Sequence, residues 1–305
     1  EIRLSLVGSE MCIRDRLLFT NTGKMVELIS QHVCFDGVQG FYKQQSKETG
    51  LPMTFSVYQP PQAKHKKVPV LFYLAGLTCT EETFMIKGGA QRYAAEHGIM
   101  LVSPDTSPRR TGIKGASDAW DFGHGAGFYI DATQAPWSDH FRMYSYVVHE
   151  LRNTIINNFP ALADRIGVFG HSMGGHGALT LALKNPDIYK SVSAFAPITA
   201  PSQCPWGEKA FSNYLGADKS TWLEHDASAL MRARKTPFPQ GILIDQGLDD
   251  QFLDTELLPH QFEAACWAAE QPLTLRRHRG YDHNYYFIST FMQDHIAYHS
   301  AILNK

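Results

Sequence analysis

A serine stands between two glycines in the stretch Gly170-His171-Ser172-Met173-Gly174, which matches the G-x-S-x-G pattern of a serine nucleophile. The match alone is weakly specific, because roughly one chain of this length in ten would contain it by chance. Its surroundings are more informative: the apolar run RIGVF precedes the motif as a predicted strand, and GGHGALTLAL follows it as a predicted helix. A sharp turn between them projects the hydroxyl, and glycines flank it because a Cβ would collide with the neighbouring strand and helix. We therefore predict that Ser172 is a nucleophile.

A serine hydroxyl is a poor nucleophile at neutral pH, so it needs a base and an acid that orients the base. In folds with this turn the chain order is Ser, then Asp or Glu, then His. Downstream, the predicted strand ILID runs into QGLDDQFLD, which places Asp249 and Asp250 in the loop beyond the strand end. Asp245 still lies at the edge of the strand, and Asp254 enters the next helix. We predict Asp249 as the acid and keep Asp250 as the alternative.

Five histidines follow Ser172 and are candidates for the base: His260, His278, His283, His295 and His299. His278 falls within a predicted strand. His295 and His299 lie four apart on the last predicted helix, where a metal-binding pair would still lack other ligands. His283 follows the last strand, in RGYDHNYY, on a turn that Gly280 opens. We predict His283 as the base.

A developing oxyanion needs two backbone N–H donors. The residue after the nucleophile, Met173, supplies one. The second is expected from the loop YLAGLTCTEE, which follows an earlier strand, and we assign it to Leu77.

The elements that must position these residues alternate between strands and helices from about residue 25 onward. Such alternation predicts an α/β fold, with a mainly parallel sheet covered by helices on both faces. HVCFDGVQGFYKQQ and LPMTFSVYQPP predict an antiparallel lead-in. The further predicted strands are 68–76, 99–105, 165–170, 191–198, 241–247 and 273–280, and the further predicted helices are 85–98, 141–159, 174–186, 255–270 and 287–303. We expect one domain over 25–305, with its pocket built from the non-periodic stretches 105–140 and 199–240.

Composition excludes several classes of function. With 28 basic and 30 acidic residues the net charge is −2, so the chain lacks the excess of positive charge that is typical of proteins binding nucleic acid or anionic membranes. No apolar run approaches the ~18 residues of a membrane span, and LLFT is too short for a secretory signal. The cysteines number five and are widely spaced, which favours reduced thiols in the cytoplasm over disulfides or structural zinc.

The first 24 residues differ from the rest. EIRLSLVGSEMCIRDR has neither helical nor strand periodicity and resembles a translated sequencing adapter, whereas the chain from Met25 resembles a natural start. We expect residues 1–24 to form no part of the functional protein.

With these residues placed, the chain resembles the S-formylglutathione hydrolase family, also called esterase D. The resemblance covers nearly all of the chain from Met25 and is carried jointly by several unusual strings: LAGLTCTEETF, QRYAAEHGI, PDTSPR, GAGFYIDATQAPW, GHSMGGHGAL, PSQCPWGEKAF, DQGLDDQFL and GYDHNYYFISTF. It implies the α/β-hydrolase fold and hydrolysis of S-formylglutathione to glutathione and formate. It also implies a cytoplasmic enzyme, commonly a homodimer, that uses no metal or cofactor.

The same resemblance assigns nucleophile, acid and base to Ser172, Asp249 and His283, in agreement with the chain order. It places Cys79 near the site, where a thiol would explain inhibition by alkylating reagents; the alternative is an ordinary buried thiol. We also expect Trp206 and His171 to line the substrate site. A formyl group is small, so we expect the aromatic residues of 120–137 and Trp206 to narrow the acyl pocket, with ordinary core packing as the alternative.

Two other functions remain open from the sequence. The chain would act as a general small-acyl carboxylesterase or thioesterase with the same machinery, or as a non-catalytic binding module of the same fold. Retention of serine, acid and histidine in order argues against the second. A nucleotide site is disfavoured, because no G-x-x-x-x-G-K-[ST] occurs and GHGAGF does not follow a strand.

Overall fold

The structure, a computed structural model, describes residues 17–19 and 25–305. Ten strands in this part form one sheet: β1 Leu17–Phe19, β2 Met25–Cys34, β3 Gly37–Gln45, β4 Pro52–Gln59, β5 Val68–Leu74, β6 Met100–Pro104, β7 Ala161–His171, β8 Tyr189–Phe195, β9 Ile242–Gly247 and β10 Leu273–His278. The α-helices of the same part are α1 Glu81–Lys87, α2 Gln91–His97, α3 Met143–Ser145, α4 Arg152–Asn158, α5 Met173–Lys184, α6 Pro205–Tyr214, α7 Lys219–Trp222, α8 Ala227–Ala233, α9 Pro259–Ala268 and α10 Tyr285–Leu303.

The sheet has the order β1-β2-β3-β4-β6-β5-β7-β8-β9-β10. Strands β1 to β4 are antiparallel to their neighbours, and β4 also pairs antiparallel with β6. From β6 to β10 every pairing is parallel. The predicted antiparallel lead-in and the mainly parallel sheet are both confirmed. Parallel pairing brings the carboxyl ends of β5, β7, β9 and β10 to one edge, where the candidate site residues follow.

Helices cover both faces of the parallel part, as predicted. On β8, Ser191 and Ser193 hydrogen-bond to histidines of α10, so the odd-numbered positions face that helix. By alternation Val192 and Ala194 point to the opposite face, where they are also buried and where α5 packs against β7 and β8. Strand β5 is buried at every position, which explains its uninterrupted apolar sequence VPVLFYL.

Two predicted helices depart from the expected form. The stretch 85–98 does not form one helix: α1 ends at Gly88, and Gly89 takes a left-handed φ of 66° before α2 begins. The stretch 141–159 is helical but contains a π-helical segment, Tyr146–Leu151, between α3 and α4. Neither stretch contains a proline that would mark an interruption, so their apolar periodicity predicted continuous helices.

One buried apolar cluster extends from Val26 on β2 to Ile296 on α10. The predicted single domain over 25–305 stays a prediction, and the expected non-native segment lies outside the described residues apart from 17–19. In the described part, no helix combines the length and apolar character needed to cross a bilayer.

Candidate active site

Ser172 sits at the turn between β7 and α5 with φ 58° and ψ −120°, a conformation that residues with a Cβ rarely adopt. The flanking glycines explain how the turn fits. A Cβ on Gly170 would overlap the carbonyl oxygen of Gly174, and a Cβ on Gly174 would overlap the carbonyl oxygen of Leu74 at the end of β5. The predicted steric reason for both glycines is confirmed.

Backbone hydrogen bonds hold this turn in place. The Ser172 N–H donates to the Phe195 carbonyl at the end of β8 (3.0 Å), and the Ser172 carbonyl accepts from the N–H groups of His176 (3.0 Å) and Ile198 (3.2 Å). Such bonds are needed because a strained residue persists only where its surroundings determine its conformation. Ser172 is 3% exposed, at the N-terminus of a twelve-residue helix whose dipole favours negative charge.

The ring of His283 is bonded to Asp250. Its Nδ1 lies 2.5 Å from Oδ2 of Asp250, whose side chain is fully buried, while the His283 side chain is 15% exposed. The carboxylate also accepts from the Phe252 N–H (2.9 Å) and from Nε2 of Gln246 (3.4 Å). A buried carboxylate with several donors fixes the ring and requires a proton on Nδ1, which leaves Nε2 free to accept one.

The structure corrects the prediction of Asp249 as the acid and favours the alternative, Asp250. Asp249 is exposed, its N–H donates to the Tyr281 carbonyl (3.0 Å), and its Oδ1 accepts from the Gly280 N–H (3.3 Å). These bonds hold Asp249 against the turn at Gly280, and among the described residues no hydrogen bond joins its carboxylate to His283. Both residues lie in the loop after β9, and only the geometry of that loop distinguishes them.

His171 packs against His283, with ring centroids 4.4 Å apart at 45°. Burial lowers the pKa of His171 well below its usual value, and the nearby His283 lowers it further, so His171 is neutral. Because His171 immediately precedes Ser172, this contact places the His283 ring over the turn. Among the described residues no hydrogen bond joins the Ser172 hydroxyl to His283; such bonds often tighten only with substrate bound.

The two predicted N–H donors flank Ser172. Met173 is the first residue of α5, and Leu77 follows Gly76 in the loop after β5; in the described part of the chain, neither N–H donates to a backbone carbonyl. A Cβ on Gly76 would lie 3.3 Å from the Ser172 Cβ, so this loop runs directly beside the serine. The Tyr129 hydroxyl donates to the Ala75 carbonyl (2.9 Å) and helps to hold the loop.

Cys79 lies in the same loop, partly buried, and its N–H donates to the Gly76 carbonyl (3.3 Å). Burial raises the pKa of its thiol, against smaller opposing contributions from Thr83 and other neighbours. The carbonyl of Cys79 accepts from Thr106 Oγ1 (2.6 Å) and Arg109 Nη2 (3.0 Å), which anchors the loop. The thiol is therefore near the site, as expected, but is protonated at neutral pH.

Trp206 reaches the site through Phe252, a residue that the sequence analysis missed. The Trp206 and Phe252 rings lie 4.7 Å apart, and the Phe252 ring lies 5.1 Å from that of His283. Trp120 packs edge-on against Trp206 at 5.5 Å. Trp137 instead packs in an aromatic cluster of the core, which is the alternative role; narrowing of the acyl pocket by the other aromatics stays a prediction.

The remaining candidate bases are not at this site. His278 and His295 both bond to Asp245, and His299 bonds to Ser191 and Ser193 in the interior. Within residues 17–19 and 25–305 no group of three or more potential ligands has the arrangement of a metal site.

Comparison with known proteins identifies the family. Residues 46–298 match the family described as "Putative esterase". S-formylglutathione hydrolase from Rattus norvegicus is 53% identical over 277 residues, which span 90% of this chain and 98% of the relative. The enzyme of the same name from Paracoccus denitrificans is also 53% identical over 277 residues, or 91% and 98% of the two chains. The chain belongs to the S-formylglutathione hydrolase family.

A solved structure of S-formylglutathione hydrolase from Agrobacterium tumefaciens matches this member of the family with a TM-score of 0.87. The two are 50% identical, and the match covers 90% of this chain and 99% of the other. The expected α/β-hydrolase fold is confirmed, and the chain is a hydrolase, as its family membership predicted.

Proposed function

We propose that this chain hydrolyses S-formylglutathione to glutathione and formate, with Ser172 as nucleophile, His283 as base and Asp250 as the orienting acid. One observation carries the mechanism: a histidine fixed by a buried carboxylate packs over the strained turn that holds the serine. The substrate follows from family membership, since the relatives at 53% identity carry that name.

In the first half of the reaction, Nε2 of His283 takes the Ser172 proton as the hydroxyl oxygen attacks the formyl carbon. Asp250 holds the ring in the required tautomer and stabilises the imidazolium that forms. The C–S bond then breaks, the sulfur receives the proton from His283, and glutathione leaves a formyl ester on Ser172.

The N–H groups of Leu77 and Met173 stabilise the oxyanion of each tetrahedral intermediate. They are suited to this role because they flank Ser172 and are free of backbone acceptors in the described part of the chain. Each such donor contributes about 2.7–4 kcal/mol to lowering the barrier. In the second half of the reaction, water loses a proton to His283 and attacks the formyl carbon. The bond between that carbon and the Ser172 oxygen then breaks, the oxygen receives the proton from His283, and formate leaves.

The surroundings of His283 suit a small acyl group. The packed rings of Phe252 and Trp206 occupy space on one side of the base. We propose that they limit the size of the acyl group, and that the neutral His171 supports the ring of His283 without competing for the proton. Cys79 takes no part in the chemistry, because its thiol is protonated.

We further propose that the enzyme acts in the cytoplasm as a homodimer and uses no metal or cofactor. The four cysteines that the structure describes are all free thiols, which suits a reducing compartment. The dimer rests on the family resemblance, and sedimentation of the purified chain would test it.

A kinetic comparison tests the proposed function. We expect kcat/KM for S-formylglutathione to exceed that for S-acetylglutathione and for simple acetate esters, with fluorophosphonate labelling Ser172 in stoichiometric amount. Equal turnover of all three would indicate a general esterase. Failure of the label to react would indicate a binding module.

A further inference from the structure

A cavity of about 410 Å³ lies beside His283 and has no role in the steps above. It is lined by Lys87, Asn284, Tyr285, Tyr286 and Ser289. Asn284 directly follows His283, so the cavity borders the base. Its volume lies within the range of small-molecule sites, roughly 300–1,000 Å³.

The cavity also reaches the loop that carries the Leu77 N–H. Tyr285 lies next to Cys79 in that loop, and Lys87 ends α1, the helix that begins just after it. His283 returns its proton to the leaving sulfur, so the leaving group lies beside the His283 ring. The glycyl carboxylate of glutathione is about one residue, ~3.5 Å, beyond its cysteine, which is within reach of a cavity that borders the base.

Lys87 is the one charged residue among those that line this cavity. Its side chain is exposed at the end of α1, and it forms no ion pair with any residue that the structure describes. Its ammonium is therefore not neutralised by the protein. A carboxylate entering the cavity would meet a single positive charge, together with the polar groups of Asn284 and Ser289.

Beside His283, toward Asp249, the lining residues carry the opposite charge. A smaller cavity of about 150 Å³ is lined there by Asp249, Gln251, Phe252, Asp282, His283 and Asn284. Among the described residues, the Asp249 carboxylate accepts a hydrogen bond from the Gly280 N–H, the Asp282 carboxylate accepts from Asn284, and neither is paired with a cation. They would repel a bare carboxylate and tolerate an ammonium group. Glutathione has both: its glycyl end carries only a carboxylate, and its γ-glutamyl end carries an ammonium.

We infer that the cavity at Lys87 binds the glycyl carboxylate of the glutathione group, with the γ-glutamyl end directed toward Asp249 and Asp282. This assignment rests on the proposed function and adds the residue that selects glutathione thioesters over uncharged esters. Lys87 acts on substrate binding and takes no part in proton transfer.

The test compares Lys87→Ala and Lys87→Glu with the wild-type enzyme on three substrates: S-formylglutathione, its glycyl monoethyl ester, and p-nitrophenyl acetate. For S-formylglutathione we expect kcat/KM to fall about 5-fold in Lys87→Ala and about 10-fold or more in Lys87→Glu, mainly through KM. For the monoethyl ester and p-nitrophenyl acetate we expect little change. Lys66→Ala is the control, because Lys66 precedes β5 at the opposite edge of the sheet and its loss changes net charge equally.

Inhibition of p-nitrophenyl acetate hydrolysis by free glutathione separates this assignment from the proposed function. A higher inhibition constant in Lys87→Ala would support the carboxylate site even if the wild-type enzyme failed to turn over S-formylglutathione. Equal losses with S-formylglutathione and its monoethyl ester, no loss at all, or the same loss in Lys66→Ala would each overturn the assignment.

Discussion

Two sets of Asp, His and Ser side chains lie near each other in this enzyme, and only one is placed to do chemistry. At the sheet edge, Asp250 bonds to His283 over the turn that holds Ser172. In the interior, Asp245 bonds to Nε2 of His295 (3.2 Å), whose Nδ1 lies 2.7 Å from Oγ of Ser193. The interior set has a hydrogen bond between histidine and serine, which the edge set lacks among the described residues, yet Ser193 is fully buried in the middle of β8.

Hydrogen-bond direction in the interior set follows from the carboxylate. Asp245 can only accept, so His295 donates through Nε2 and accepts from the Ser193 hydroxyl through Nδ1. The Ser193 oxygen then accepts from Nε2 of His299 (2.8 Å), and Nδ1 of His299 accepts from Ser191 (2.6 Å). Every donor in this series of hydrogen bonds has an acceptor, so the arrangement satisfies the hydrogen-bonding needs of these buried side chains.

The difference between the two sets shows that residue types do not define a site. Ser172 has a strained backbone and a helix N-terminus, and beside it are two N–H groups that donate to no backbone carbonyl among the described residues. Ser193 lies in a regular strand whose backbone groups are paired with β7 and β9. Access, strain and the neighbouring N–H groups therefore distinguish the proposed nucleophile from its interior counterpart.

The interior set has a structural purpose that serves the active site. Burial alone would raise the pKa of Asp245, but hydrogen bonds from His295 and Arg276 outweigh it and hold that pKa below its usual value. Both guanidinium bonds from Arg276 are 2.6 Å long. These contacts join β9, β10 and α10, the elements from which Asp250 and His283 extend.

The largest expected contrast is between the two serines. Ser172→Ala should lower kcat by about 10⁴- to 10⁶-fold, because it removes the attacking oxygen. Ser193→Ala should leave kcat nearly unchanged but cost about 1–3 kcal/mol in the free energy of unfolding, because two buried imidazoles lose their partner. Steady-state kinetics and urea unfolding measure both. A Ser172→Ala enzyme with substantial activity would refute the mechanism.

The next contrast separates the two adjacent aspartates. Asp250→Asn should lower kcat by about 10⁴-fold, since an amide would favour the wrong tautomer of His283. Asp249→Asn should change kcat little, because among the described residues its carboxylate accepts a hydrogen bond from the Gly280 N–H and forms none with His283. Measuring kcat of both variants on the same substrate identifies the acid. A larger loss in Asp249→Asn than in Asp250→Asn would show that Asp249 has this role.

A third prediction concerns pH and stability. Burial lowers the pKa values of His295 and His299, so both stay neutral in the folded protein while they take up protons in the unfolded chain. Stability is then complete above the unfolded pKa of about 6.5 and falls as pH drops below it, by up to about 1.4 kcal/mol per pH unit for each histidine.

The variant His299→Leu should flatten this slope between pH 6.5 and 5, whatever its effect on stability at pH 8. Denaturant unfolding at several pH values measures the slope. The exposed His260 supplies the control, and His260→Leu should keep the wild-type slope. An unchanged slope in His299→Leu would show that this ring does not resist protonation.

The smallest effect is expected at the N-terminus. We propose that a chain beginning at Met25 keeps its activity and loses about 0.5 kcal/mol of stability or less. Of the residues before Met25, the structure describes only strand β1, which pairs with β2 at the edge of the sheet. Thermal unfolding and kcat/KM of the shortened chain measure this, and loss of folding would show that residues 1–24 belong to the functional protein.

Local patterns predicted the sharp turn at Ser172 and the position of His283 after the last strand, because each depends on a strand end and a nearby glycine. The choice between Asp249 and Asp250 could not be made in this way. It depends on the Asp249 N–H bonding to Tyr281, a residue 32 positions away in a different turn. Phe252 was missed for a similar reason: its ring meets His283 only after the two loops pack together.

The contact between Gly174 and the Leu74 carbonyl has a consequence for redesign. The main chain of Gly174 lies directly against the main chain of Leu74, so a side chain at position 174 would separate the start of α5 from the end of β5 and change the spacing of the N–H groups of Met173 and Leu77. Directed evolution toward bulkier acyl donors therefore has no useful freedom at the glycines. It should be aimed instead at Phe252 and Trp206, whose rings can be trimmed without disturbing that spacing.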